Sequence, residues 1–350
     1  MPSLEIIAPG RLHFGLLSFG QPTGRQFGGA GVLIDRPGLR LRVASHDVFQ
    51  VQGPLANRVE RVARHYAESL GLLSSPRSTM GQGRPTEAPE NPVSWPAAAS
   101  PFFCQEPINL PACRIEVLDA PPEHVGLGTG TQLALSVVAG INALAGNAPL
   151  DAPALAALTG RAARSAIGTY GFLRGGLLME SGKLPGETLS PLERRTLPPD
   201  EWRFVVVLTH DQQGVSGDEG RRAFEQLPPV PPETTAALRG ELTERLFPAA
   251  EQGDFATFSD SLYRYGYTSG MCFAAQQGGP FATPRVAEWV DHIRSLGVSG
   301  VGQSSWGPAV FAAVESPTAA EHLAARLREQ LTASERIVVA KVSQGGATVV

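Results

Sequence analysis

"HVGLGTGTQLALSV", residues 124–137, decides how the chain is read. Gly126, Gly128 and Gly130 fall within five residues and run directly into an apolar stretch, where Leu133, Val137, Ile141 and Leu144 recur at helical spacing. Just upstream, "RIEVLD" (114–119) predicts a strand, which ends before Pro121 and Pro122. A strand, a glycine loop and a helix in that order place free N–H groups at the positive end of a helix dipole. Such a helix start is a ready site for phosphate, and glycine lets the backbone approach the anion closely. The spacing predicts a helix beginning near Thr131, with Thr129 as its N-cap and Gln132 closing a capping box. The loop lacks the Gly-Lys-Ser/Thr ending of a Walker loop and does not fit GxGxxG. A tight strand-to-helix turn without a ligand would use the same glycines.

Neighbouring clusters weigh toward a ligand. Residues 8–37 carry Arg11, His13 and Arg25 among seven glycines, and an anion would explain Arg and His beside Phe14. A solvated hairpin with surface charges is the alternative. In "GRAARSAIGTYGFLRGGLLMESG" (160–182), Arg161 and Arg164 stand three apart, beside Ser165 and Glu180. If that segment is helical, the two guanidiniums share a side and repel unless an anion lies between them. "GVSGVGQSSWGPAVFA" (297–312) sets Gln303, Ser304, Ser305 and Trp306 between glycines just before a strand, which offers a flat apolar wall with neutral hydrogen bonds. "GVSGDEGRRAF", from Gly214, holds Ser216, Asp218 and Glu219 as metal-facing oxygens or as a solvated turn. His13 and His124 are equal candidates for handling a proton.

The rest of the chain bounds the fold. Its 350 residues suffice for about two domains. The net charge of -4 argues against nucleic acid or an anionic membrane as the main partner. Cys104, Cys113 and Cys272 form no CxxC pair and imply neither a disulfide framework nor zinc. The absence of a signal-like start or a long apolar run makes cytoplasmic the expectation. Helical periodicity covers 57–72, stopping at Gly71, then 285–297, and then 316–331, with Ser316 as cap and Pro317 at the first position. β-branched runs predict strands at 204–209, 309–315 and 336–342. Residues 74–101, dense in Pro, Ser and Gly, read as a surface insertion, and 184–200 as a connection between halves. Mixed helices and strands in both halves point to α+β or α/β layers.

In order, "PGRLHFGLLS" (9–18), "PPEHVGLGTGTQLALSV" (121–137) and "GVGQSSWGPAVFA" (300–312) resemble the three motifs of the GHMP kinase superfamily. More narrowly they are similar to its β-ribofuranosylaminobenzene 5′-phosphate synthase branch, which "GRQFGGAGVLID" (24–35) and "GRAARSAIGTYGFLRGG" (160–176) also match. The resemblance runs from about residue 5 to 345, outside the insertion. It implies an α+β fold of two GHMP-type domains, 1–190 with the glycine loop and 200–350, with the active site in the cleft between them. It also implies condensation of phosphoribosyl pyrophosphate with 4-aminobenzoate or 4-hydroxybenzoate, with loss of carbon dioxide and pyrophosphate, in methanopterin-type pterin synthesis. Magnesium and a homodimer are the expected accompaniments.

On this resemblance, Arg11, His13, Arg25 and Glu180 are the catalytic candidates. Gly126, Leu127, Gly128, Thr129, Gly130, Thr131 and Gln132 would bind phosphate, together with Arg161, Arg164, Ser165, Gln303, Ser304, Ser305 and Trp306. Thr131 and Glu219 are candidate metal ligands. The superfamily's kinases usually carry Gly-Leu-Gly-Ser-Ser and a first-motif lysine, where this chain has Thr129, Gly130 and Arg11. An ATP-dependent small-molecule kinase and a non-catalytic ligand-binding homologue are the competing readings.

Overall fold

The computed structural model describes residues 2–74, 112–209, 222 and 224–350. Two sheets organise it. The first is built from β1 (Ser3–Ser18), β2 (Phe27–Ser45), β3 (Gln50–Gln52), β4 (Cys113–Asp119), β5 (Leu177–Glu180) and β6 (Leu192–Thr196). A final strand, β11 (Thr348–Val349), returns to pair with β1, giving the order β11-β1-β2-β4-β3, with β5 on β2 and β6 on β5. The second sheet has the order β10-β7-β9-β8, from β7 (Arg203–Thr209), β8 (Val301–Gln303), β9 (Val310–Val314) and β10 (Glu335–Lys341).

Helices α1 (Ala56–Ser74), α2 (Thr129–Leu144) and α3 (Ala152–Thr159) cover one face of the first sheet, where Val59, Leu133 and Val137 pack on Ile6, Leu41 and Ile115. α4 (Ile167–Arg174) leads into β5. Between the sheets lies a shared core. Alternation along β7 sends Phe204, Val206 and Leu208 into this core, where they meet Leu12, Phe14, Val32 and Ile34 of the first sheet. The same core takes Leu238 of α5 (Pro232–Gly240), Phe247 of α6 (Phe247–Gln252), and Phe258, Leu262 and Tyr265 of α7 (Phe255–Met271). A π-helical segment, Glu241–Leu246, joins α5 to α6, and the short α8 (Ala274–Gln277) follows α7. Val205 and Val207, on the other face, meet α9 (Pro284–Ser295) and α10 (Pro317–Arg328). Burial on both faces explains why "FVVVLT" is apolar without a break.

The predicted strands and helices are present, with local differences. α1 continues through Gly71, which is exposed with open space around it and so forces no stop. Ser316 caps α10 by accepting the Ala319 N–H at 3.2 Å, with Pro317 at the first position. The expected connection 184–200 holds β6, a full member of the first sheet, and the last residues cross back to that sheet through Ile6 and Val349. Most of the 74–101 insertion and Cys104 fall outside the described residues. No helix among the described residues is long and apolar enough to cross a membrane.

Candidate active site

One strand and two loops are sewn together where the sheets meet. β1 carries Arg11 and His13 two apart, on one face of the strand. The Arg11 N–H donates to Leu127 O at 2.9 Å, and the Ser305 N–H donates to His13 O at 3.0 Å. Ser304 is fully buried; its hydroxyl accepts the His13 N–H at 3.0 Å and donates to Gly126 O at 2.7 Å. A side chain on Gly126 would run into Ser304 O, and one on Gly307 into the Gly126 backbone. The glycines therefore permit backbone-on-backbone packing between motifs nearly 180 residues apart.

Gly128, in the left-handed conformation (φ 73°), opens α2, and no side chain caps the helix. The expected capping box is absent. Both side chains are buried and serve other carbonyls: Thr129 donates to Pro122 O (3.1 Å), and Gln132 Nε2 to Gly168 O (3.1 Å). An uncapped helix start keeps its roughly +0.5 charge available to an anion.

Facing this helix start is a cavity of about 580 Å³. Five arginines line it, Arg11, Arg58, Arg61, Arg161 and Arg164, with His65, His124 and the loop from Gly126 to Thr131. No carboxylate stands among its described lining residues. Burial lowers Arg11 to about 10, with Glu180 partly opposing, and it also lowers Arg161. Arg58 is lowered by burial and then by the charges of Arg161 and Arg61. All remain cationic at neutral pH. The Arg161 Nε is buried with no hydrogen-bond partner among the described residues. A polyanion relieves such a cluster, since hydrogen bonds to charged groups contribute about 1.5–3 kcal/mol each.

A second cavity of about 290 Å³ adjoins the first and shares Arg11, Thr131, Arg161, Arg164, Ser305 and Trp306 with it. Its walls are aromatic. Trp306 lies 4.8 Å from the Phe224 ring and 5.0 Å from Phe273, and the Arg164 guanidinium sits 4.7 Å over Phe224. Phe14 and Phe281 complete the aromatic lining. The Trp306 Nε1 is buried without a hydrogen-bond partner among the described residues. His13 reaches this cavity with Nε2 3.2 Å from Ser165 Oγ. Burial, reinforced by the charge of Arg11, holds His13 well below the ordinary histidine range, so its ring is neutral. Behind it, fully buried Glu180 accepts the Ala166 N–H at 2.8 Å. Burial raises the Glu180 carboxyl, while hydrogen bonds from Ser165 and Ala166 oppose the rise.

Most of the expected residues meet here: Arg11, His13, the loop Gly126 to Thr131, Arg161, Arg164, Ser165, Gln303, Ser305 and Trp306 all line one cavity or both. Arg161 and Arg164 are not on a helix: Ala162 takes φ 64°, and α4 begins only at Ile167. Four expected residues do not line the cleft. Arg25 is held by Gly182 O (2.8 Å) and Glu187 (2.8 Å), a partner 162 residues away that gives its charge a purely internal use. Ser304, Gln132 and Glu180 are buried behind the lining, where they position loops. Sequence reading missed Arg58, Arg61 and His65 on α1, and the phenylalanines of the second cavity.

Neither cavity has a carboxylate in its described lining, no three His, Cys, Asp or Glu gather among the described residues, and Thr131 offers a single hydroxyl. The other metal candidate, Glu219, together with Ser216 and Asp218, lies outside the described residues.

A model of the GHMP kinases N terminal domain matches residues 97–176, and one of the GHMP kinases C terminal domain matches 246–333. Both parts of the chain are thus similar to GHMP kinase domains. Solved superfamily members share its fold across nearly the whole length. Homoserine kinase from Cytophaga hutchinsonii aligns at TM-score 0.67 and 15% identity, over 100% of this chain and 98% of its own. Mevalonate-3-kinase from Thermoplasma acidophilum aligns at 0.59 and 13%, over 99% and 98%. At those identities the likeness is one of fold alone. Among curated proteins, the beta-ribofuranosylphenol 5'-phosphate synthase of Methanothermobacter thermautotrophicus is 24% identical over 324 residues, 89% of each chain. The protein of the same name from Archaeoglobus fulgidus is 25% identical over 329 residues, 89% of this chain and 88% of its own. The two-domain α+β expectation and the resemblance to the synthase branch hold.

Proposed function

We propose that this protein joins the ribose of phosphoribosyl pyrophosphate to a 4-substituted benzoate, releasing carbon dioxide and pyrophosphate. The observation that carries the reading is the pairing of cavities: a five-arginine cleft over an uncapped helix start shares a wall with an aromatic slot. A sugar bearing a phosphate and a diphosphate fits the first, and a single arene fits the second. The names of the synthase relatives, which specify a ribosylated phenol, support 4-hydroxybenzoate over 4-aminobenzoate.

The electrons balance without an added acid or base. The bond from ribose C1 to the diphosphate oxygen breaks, and its pair leaves with pyrophosphate. The ring carbon bearing the carboxylate attacks C1, pushed by the para hydroxyl. The carbon-carboxylate bond then breaks, carbon dioxide departs, and that electron pair restores the aromatic ring. Arg11, Arg161 and the helix start would steady the leaving diphosphate where charge develops. A neutral His13 needs only to hydrogen-bond, and Trp306 with the phenylalanines would hold the arene in line with C1, replacing a bimolecular encounter by an oriented one.

The test is release of label from carboxyl-labelled 4-hydroxybenzoate and 4-aminobenzoate, with and without phosphoribosyl pyrophosphate, and with magnesium supplied. Release that depends on phosphoribosyl pyrophosphate is expected. No release from either acid, together with thermal stabilisation by ATP alone, would replace this reading with a kinase.

A further inference from the structure

Gly130 stands in the first turn of α2, where its backbone is helical and alanine would be the better helix former. A side chain there would collide with the Arg58 guanidinium, whose central carbon lies 2.7 Å from the position a Cβ would take. Arg58 belongs to the first turn of α1 and reaches across to fill that space. It is three-quarters or more enclosed, with 19% of its side chain exposed, and it lies among the charges of Arg61 and Arg161. Among the described residues its ion-pair partner is Glu123, on the segment leading into the glycine loop.

A cation placed over a helix start is unfavourable by itself, because it meets the positive end of the dipole and two like charges. One carboxylate, itself 29% exposed, offsets only part of this. The arrangement becomes favourable when a multiply charged anion sits between the helix start and the guanidinium. We infer that Arg58 is a diphosphate-binding residue held in place by Glu123 until the anion arrives, and that position 130 is glycine in order to admit it. This rests on the phosphoribosyl reading and adds to it a residue from outside the three motifs.

Calorimetric titration with inorganic pyrophosphate, and separately with phosphoribosyl pyrophosphate, tests it. Arg58→Ala should weaken both by about tenfold or more, the scale of one lost charge-assisted hydrogen bond. Because that variant also leaves Glu123 facing the anion, Arg58→Ala/Glu123→Ala is the deciding protein. It should stay weak if Arg58 binds the anion; recovery to wild-type affinity would mean that Arg58 only neutralises Glu123, and would overturn the inference. Glu123→Ala alone should bind at least as tightly as wild type. Gly130→Ala should weaken binding without lowering the melting temperature, and Gly130→Ala/Arg58→Ala should be no weaker than Arg58→Ala, because both changes remove the same guanidinium. Losses that simply add would show that the methyl obstructs the anion directly, which also counts against the inference. A wild-type protein that binds neither ligand would instead sink the phosphoribosyl reading itself.

Discussion

Ser304→Ala removes one oxygen that fastens strand β1 and the glycine loop to its own loop. The Ser304 hydroxyl satisfies the His13 N–H at 3.0 Å and Gly126 O at 2.7 Å, within a residue that is 0% exposed. Alanine fits the space but satisfies neither. The His13 amide is buried, so leaving it unpaired costs about 1–3 kcal/mol. Gly126 O is only partly buried and can find water, so its share is about 1 kcal/mol. A total of about 2–4 kcal/mol follows, large for a one-atom change in a protein of ordinary stability. Urea unfolding of wild type and variant measures it as a fall in midpoint at unchanged slope. The same loss should appear in activity. His13 and Gly126 line different cavities, so loosening their joint should lower kcat for label release and raise KM for both substrates. A destabilisation under about 0.5 kcal/mol, with normal turnover, would show that the loops are held by backbone contacts alone and that the hydroxyl is incidental.

Three further outcomes follow from the same geometry. His13 is held neutral by burial, whereas the unfolded chain takes up a proton below about pH 6.5, so acidification from pH 7 to 5 favours unfolding by up to about 1.4 kcal/mol per unit. His13→Gln should flatten that dependence in urea midpoints, and an unchanged slope would mean that the ring is charged in the fold. Gly128→Val places a β-branched residue at φ 73°, with its Cβ 3.0 Å from Arg11 Nε, and should cost about 1–2 kcal/mol of stability in thermal melts while abolishing label release. Normal turnover would remove the loop from the site. Raising the ionic strength to about 0.5 M should increase KM for phosphoribosyl pyrophosphate far more than KM for the benzoate, because five guanidiniums face the former; parallel increases would contradict the division between cavities.

The fold and the anion loop were legible because their signals are local. Three glycines beside a helical period, or the unbroken β-branched run from Phe204, each carry their reason within a dozen residues. Arg58 and Arg61 show the limit. They share a stripe of α1 with His65, and an amphipathic helix turns such a stripe to water by default; here it meets the start of α2, which lies some 70 residues further along the chain. One signal was still available. Arg64 on the same helix has Glu60 four residues before it, at 2.7 Å, while neither Arg58 nor Arg61 has an acid three or four residues away along the helix. Arg25 misled in the opposite sense, since nothing near it in sequence announces Glu187. A cation without a local acid is therefore ambiguous until the packing is known, because a distant carboxylate and a bound anion leave the same mark on the sequence. The geometry separates the two: Arg25 has a bidentate carboxylate and a carbonyl, whereas the five cleft arginines crowd one cavity whose described lining holds no acid, with the Glu123 carboxylate, outside that lining, paired to Arg58.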